Sequence, residues 1–171
     1  MSLLVPKKHK ALHTVALPVP TAKISTAKIQ KIIADMKKTL EQESDGVAIA
    51  APQIGISFRI FVLSPKIFEG KEKNEPLVYI NPTITKASKK MAWKEGEGCL
   101  SLRWLYGKVR RHTNVTVSAY DEFGNLFERG AGGLLAHIFQ HEIDHLDGML
   151  FIEKAKDIYD APPEESSHEH K

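Results

Sequence analysis

A single cysteine, Cys99, in 171 residues rules out an intramolecular disulfide, and with it the small secreted scaffolds that depend on one. No apolar run approaches the ~20 residues of a membrane span. The opening Met-Ser-Leu-Leu-Val-Pro-Lys-Lys-His-Lys lacks the ordered positive region, apolar core and small-residue cleavage site of a secretory signal. The expected location is therefore the cytoplasm, or an organelle for a mature imported form, with no membrane partner. No large excess of charge is present either. The formal net charge is +3, and since the segment from Asp160 holds four acids and one lysine, residues 1–159 carry +6. Lys7-Lys8, Lys37-Lys38, Lys89-Lys90 and Arg110-Arg111 make that body mildly basic, which suits an anionic partner such as the ribosome surface but is also how an ordinary solvated face looks. No sequence-specific DNA partner is expected, and the chain reads as a monomer.

Apolar residues make up 42% of the chain and charged residues 26%, an ordinary globular balance with no shift that would split it. Residues 1–159 read as one domain and 160–171 as a disordered acidic tail. Residues 1–22, punctuated by Pro6, Pro18 and Pro20, read as an arm laid over the domain. From Ser25 to Glu43, Ile29, Ile32, Ile33, Met36 and Leu40 recur at helical spacing, with Ser25 or Thr26 as N-cap. Strand-like runs follow at 59–63, 77–80, 83–85, 91–95, 108–111 and 115–120, and Asp121 to Asn125 turns into a further strand at 126–128. The stretch from Phe68 to Pro76 reads as a charged surface loop. Antiparallel strands with one helix before and one after predict an α+β fold.

The last helix carries the chemistry. In Gln140-His141-Glu142-Ile143-Asp144-His145 the two imidazoles stand four residues apart, one above the other on a single helix face, so both can grip one ion. Glu142, beside the first, can reach a water on that ion as a base. Such a short pattern also arises by chance on solvated helices. Here, however, Leu134, Leu135, Ile138, Ile143 and Leu146 give the helix a buried face, bounded by Gly132-Gly133 and Gly148. A catalytic metal needs a third protein ligand and one open position, and Cys99, flanked by Gly98 in Glu97-Gly98-Cys99-Leu100-Ser101, is the outstanding candidate.

Three segments together resemble the peptide deformylase family. Gly46-Val-Ala-Ile-Ala-Ala-Pro-Gln53 is similar to its first motif, and Glu97 to Ser101 and Gln140 to His145 match the second and third unchanged, in the same order, within a resemblance running from about residue 5 to 155. The resemblance implies antiparallel sheets around a central helix, and removal of the N-formyl group from the formyl-methionine of new polypeptides. It implies one divalent metal on Cys99, His141 and His145, usually Fe2+, with Zn2+, Ni2+ or Co2+ able to substitute. Glu142 would be the base, and the Gln53 amide and Leu100 N–H would face the oxyanion. Substrate would extend along Val47, Ala48, Ile49 and Gly98, its methionine entering a pocket walled by Val47, Leu134, Ile138 and His141, with His137 either an extra polar wall or turned aside.

Three departures stand out. Ala48 replaces a glycine usual in the family; Arg103 begins a segment where Pro and then Gly are usual; His137 replaces an apolar wall residue. Arg103, Trp104 and Tyr106 are expected to rebuild the pocket rim. The rival readings are a zinc peptidase with a downstream third ligand among Glu153, Glu164, Glu165 and His168, and a weak or inactive homologue that binds formyl-peptides or a ribosomal partner. A structural zinc site would have no use for Glu142.

Overall fold

The computed structural model describes residues 2–68 and 75–163. Most of the expected Phe68–Pro76 loop, and the tail from Glu164 with His168 and His170, lie outside the described residues. Helix α1 (Ala27–Glu41) and helix α2 (Gly133–Leu146) bracket the strands β1 (Ala48–Ala50), β2 (Ile60–Leu63), β3 (Val78–Ala87), β4 (Met91–Gly98), β5 (Leu105–His112), β6 (Asn114–Tyr120) and β7 (Leu126–Gly132), with β8 (Lys156–Asp160) last. All strand pairs are antiparallel, forming a sheet of order β1-β2-β3-β6-β7 and another of order β4-β5-β8. The fold is α+β.

At β1 and β2 the first sheet is buried on both faces, which is why β2 is apolar without alternation. Successive side chains point to opposite faces. Ile60 and Val62 meet Ile33 and Met36 of α1 in one cluster, while Phe61 and Leu63 meet Phe139 and Leu146 of α2 in the other. The Phe61 and Tyr79 rings stack at 4.6 Å, and the Tyr79 and Phe139 centroids lie 5.0 Å apart. A third cluster, with Leu12, Leu102, Val109 and Phe151, fills the space under β5.

Two expected strands, 77–80 and 83–85, are one strand here. Pro82 cannot donate to the ladder, and the register shifts between Ile80 and Thr83 around it. Asn81, at φ +53, ties the same bulge to the N-terminal arm through bonds to Val19 of 2.8 and 2.7 Å. The arm lies over the domain: Ala16 N donates to the Leu146 carbonyl at 2.8 Å, and Arg59 N to that of Leu17 at 2.9 Å. Thr26 precedes α1 but gives no capping bond; its hydroxyl donates back to the Lys23 carbonyl at 2.7 Å.

Candidate active site

Cys99 follows β4 and caps a 3-10 turn over Leu100–Leu102, while His141 and His145 project from α2. The Cys99 Sγ and one ring nitrogen from each histidine lie within 4.8 Å of one another, and Sγ is 3.2 Å from His145 Nε2. Burial alone would raise the Cys99 thiol, but the charge on His145 and the bonds to His141 and His145 outweigh it and hold the thiol well below its ordinary value. Burial likewise disfavours a charged His141, yet its bonds to Cys99 and Glu97 push it up to about 10. Groups that hold a proton this way exchange it for a cation when a metal binds. A thiolate with two imidazoles is therefore a donor set that fits a divalent ion.

Glu97 fixes the first histidine. Its Oε1 accepts from His141 Nδ1 at 2.6 Å and from Arg111 Nη2 at 2.5 Å; its Oε2 accepts from Arg111 Nε at 2.9 Å and pairs with His137 Nε2 at 2.5 Å. Each oxygen thus has two donors. Against the cost of burial, these donors keep the Glu97 carboxyl far below the usual carboxylate range. Because Glu97 can only accept, His141 carries its proton on Nδ1 and leaves Nε2 for a metal. Arg111 Nη1 also reaches Asp144 Oδ2 at 2.9 Å, and Asp144 Oδ1 accepts from Lys154 at 2.6 Å. Sequence reasoning missed this network, taking Arg111 as half of a surface basic pair; it is 4% exposed. The available signal was strand period: Glu97 and Cys99 lie two residues apart, and Arg111 alternates with exposed Arg110.

Glu142 is buried, and its Oε2 has no hydrogen-bond partner among the described residues. Burial raises its carboxyl, opposed by the charges of His141 and His145. Gln53 is oriented by Ala50 N, which donates to its Oε1 at 2.8 Å; its Nε2 then points to Cys99 Sγ at 3.5 Å and Ser101 Oγ at 3.2 Å. Leu100 opens its 3-10 turn, where the first amides have no partner within the turn.

A cleft of about 300 Å³ opens over this group, lined by Val47, Ala48, Gln53, Gly98, Leu100, Leu134, His137, Ile138, His141 and Glu142. Ile49 does not line it; its side chain is fully buried on the α1 side of the sheet. Ala48 is extended and unstrained, so the replaced glycine carries no backbone penalty. At Gly98 the case differs: a Cβ would stand 2.8 Å from the Tyr106 ring. β1 and β4 are each terminal strands of their sheets, and both line the cleft. Of the candidate third ligands for a peptidase, Glu153 instead accepts from Leu150 N at 2.8 Å, and Glu164, Glu165 and His168 lie outside the described residues.

The model of the polypeptide deformylase family matches residues 1–160. A peptide deformylase of Symbiobacterium thermophilum is 42% identical over 140 residues, 81% of this chain but only 60% of that relative's length. One from Neisseria meningitidis is 39% identical over 147 residues, 86% of this chain and 82% of the relative. The Met-Ala-Ser-bound class I type b peptide deformylase from Acinetobacter baumannii superposes with a TM-score of 0.77 at 32% identity, covering 88% of this chain and 97% of that one. With the converging Cys99, His141 and His145, the fold and the match over nearly all its length in agreement, the chain belongs to the polypeptide deformylase family.

Proposed function

We propose that this protein hydrolyses the N-formyl group from the formyl-methionine of newly made polypeptides, releasing formate, and that Cys99, His141 and His145 hold the one divalent ion it needs. The observation that carries this reading is the convergence of three ligand atoms within 4.8 Å beside a buried Glu142 whose Oε2 lacks a partner. Three protein ligands leave a position open, as a catalytic site requires. Thiolate and imidazole suit several metals, and Fe2+ is the proposed native one, with Zn2+, Ni2+ or Co2+ able to substitute. A divalent ion there supplies Lewis acidity, lowering the pKa of a water and polarising the formyl carbonyl.

The chain's own residues do the rest. Glu142 takes the proton of the attacking water and passes it to the departing amine, so the C–N bond breaks and the water oxygen leaves in formate. The Gln53 amide, held by Ala50, and the Leu100 N–H donate to the oxygen that gains charge. The peptide extends between the edge strands β1 and β4, pairing its backbone with Val47, Ala48, Ile49 and Gly98, a mode that reads little side-chain identity and suits many nascent chains. Its methionine side chain enters the pocket walled by Leu134, His137 and Ile138. That the similar peptide deformylase from Acinetobacter baumannii has been solved with Met-Ala-Ser bound supports a peptide substrate. No helix among the described residues is long and apolar enough to cross a membrane. A cytoplasmic monomer working beside the ribosome completes the reading, in keeping with the +6 on residues 1–159.

The test is formate release from formyl-Met-Ala-Ser by anaerobically iron-loaded protein, with Glu142→Ala beside it. Turnover reduced by about 10²–10⁴ in the variant, with iron still bound, is the expected result. A fully loaded wild type that releases no formate would overturn the hydrolase and leave a peptide-binding role.

A further inference from the structure

Two segments from distant parts of the chain meet at the mouth of the cleft. Asp45 and Gly46 lie between α1 and β1; Arg103 and Trp104 lie between Cys99 and β5, whose second residue is Tyr106. An ionic lock joins them: Arg103 Nη1 donates to Asp45 Oδ1 and Oδ2, both at 2.9 Å, and Nη2 pairs with Glu43. Trp104 sits next to the lock at φ +66, a conformation that costs a bulky L-residue but not glycine. Both its backbone and its ring are engaged there. The Trp104 carbonyl accepts from Ala161 N at 2.9 Å, just past β8, and the Arg103 guanidinium stands 5.6 Å from the indole centroid.

This strain has no return in core packing, because Trp104 remains 37% exposed. A sparsely populated backbone conformation that its surroundings enforce at a binding cleft points to a ligand contact. A half-open indole is also a rigid apolar surface. In an extended peptide, side chains alternate, so the third residue projects to the same face as the first, roughly 7 Å along. If the first residue's side chain fills the pocket, the third comes to the rim that Trp104 forms.

Resting on the deformylase reading of the cleft, we propose that Trp104 is a specificity-determining residue that takes an apolar or aromatic side chain at the third position of the peptide, with the Arg103–Asp45–Glu43 lock holding the indole in place. The experiment measures calorimetric affinity of the iron-loaded protein for Met-Ala-Phe and Met-Ala-Ser, which carry no formyl group to lose. The wild type is expected to favour Met-Ala-Phe by about 3–10-fold, the range of an aromatic contact. Trp104→Gly should bring the ratio below about two and, by relieving the backbone, raise the Tm by about 2 °C. Trp104→Asn, which also tolerates positive φ, should lose the preference without the added chain freedom of glycine. Trp104→Tyr should restore it. A wild type that binds neither peptide, or both within two-fold, overturns the proposal; so does a preference that survives Trp104→Gly while the Tm falls, since the indole would then be packing only. Formate release from formyl-Met-Ala-Ser separates the two readings. Release without a third-residue preference sinks this proposal alone, and preference without release sinks the hydrolase alone.

Discussion

Glu97 is the residue on which the geometry of the site turns. Two donors on each of its oxygens leave it no spare acceptor capacity, and two of the four come from residues that line the cleft, His137 and His141. Replacing Glu97 by Gln keeps the shape but puts an NH₂ where an acceptor stood, facing the Nδ1–H of His141 or a donor of Arg111. Metal affinity should fall about 10–100-fold in a chelator competition, the usual effect of losing an outer-shell partner; an unchanged affinity would show that helix packing alone orients His141. Arg111→Met removes the cation between Glu97 and Asp144, both buried. The expected cost is about 3–5 kcal/mol, read as a drop in Tm of roughly 10 °C or more. That His141 and His145 share a helix face was legible because it is written in their spacing of four; that Cys99 comes within 4.8 Å of them is set by the fold. Arg111 was not legible: a basic pair on a strand sends one side chain out and the next in, and only the sheet says which.

At the scale of elements, α2 depends on how it ends. Gly148 has φ +73, and a Cβ there would meet the Thr14 backbone at 2.9 Å, where the N-terminal arm crosses. Gly148→Ala should therefore cost more than the ~1 kcal/mol of the left-handed conformation alone, seen as a lower urea midpoint at unchanged m. A loss smaller than that would mean the arm lifts away freely. The sequence marked Gly148 as a helix stop, but the arm that needs the gap is 134 residues distant in the chain. β8 was illegible for a related reason: all five of its residues are exposed and none alternates, so the strand exists by pairing with β5 and not by its own pattern. The lock between the two rim segments has a pH signature. The Arg103 bond holds the Asp45 carboxyl below its ordinary 3.8. A carboxyl depressed in the folded state contributes stability above its unfolded value and loses it as pH falls through the folded one. Carbon-detected titration should place the Asp45 midpoint under 3.8 and return it toward 3.8 in Arg103→Met. An unmoved midpoint would remove Arg103 as its cause.

Across the whole molecule, the proposed ligands come from units that are otherwise separate: Cys99 from the edge of the β4-β5-β8 sheet, and His141 and His145 from the helix packed under the other sheet. The α+β class and the amphipathic α1 could be read from periodicity, whereas the way the two sheets flank α2 could not, because it is set by which strand edges stay unpaired. Joining the units through an ion makes metal binding part of folding. An ion that binds only the folded protein at a free concentration of ~1,000 Kd should add about 4 kcal/mol, and for a chain of this length that corresponds to a rise in Tm of roughly 8–16 °C. Calorimetry of the protein with and without Ni2+, each after exhaustive chelation, measures it, with Cys99→Ala as the partner experiment. The variant should lose most of the metal-induced rise while keeping its metal-free Tm near the wild-type value, because Cys99 is only partly buried. A Tm indifferent to metal in the wild type, or a rise retained in full without the thiol, would contradict the assignment of Cys99 as the ligand that ties sheet to helix.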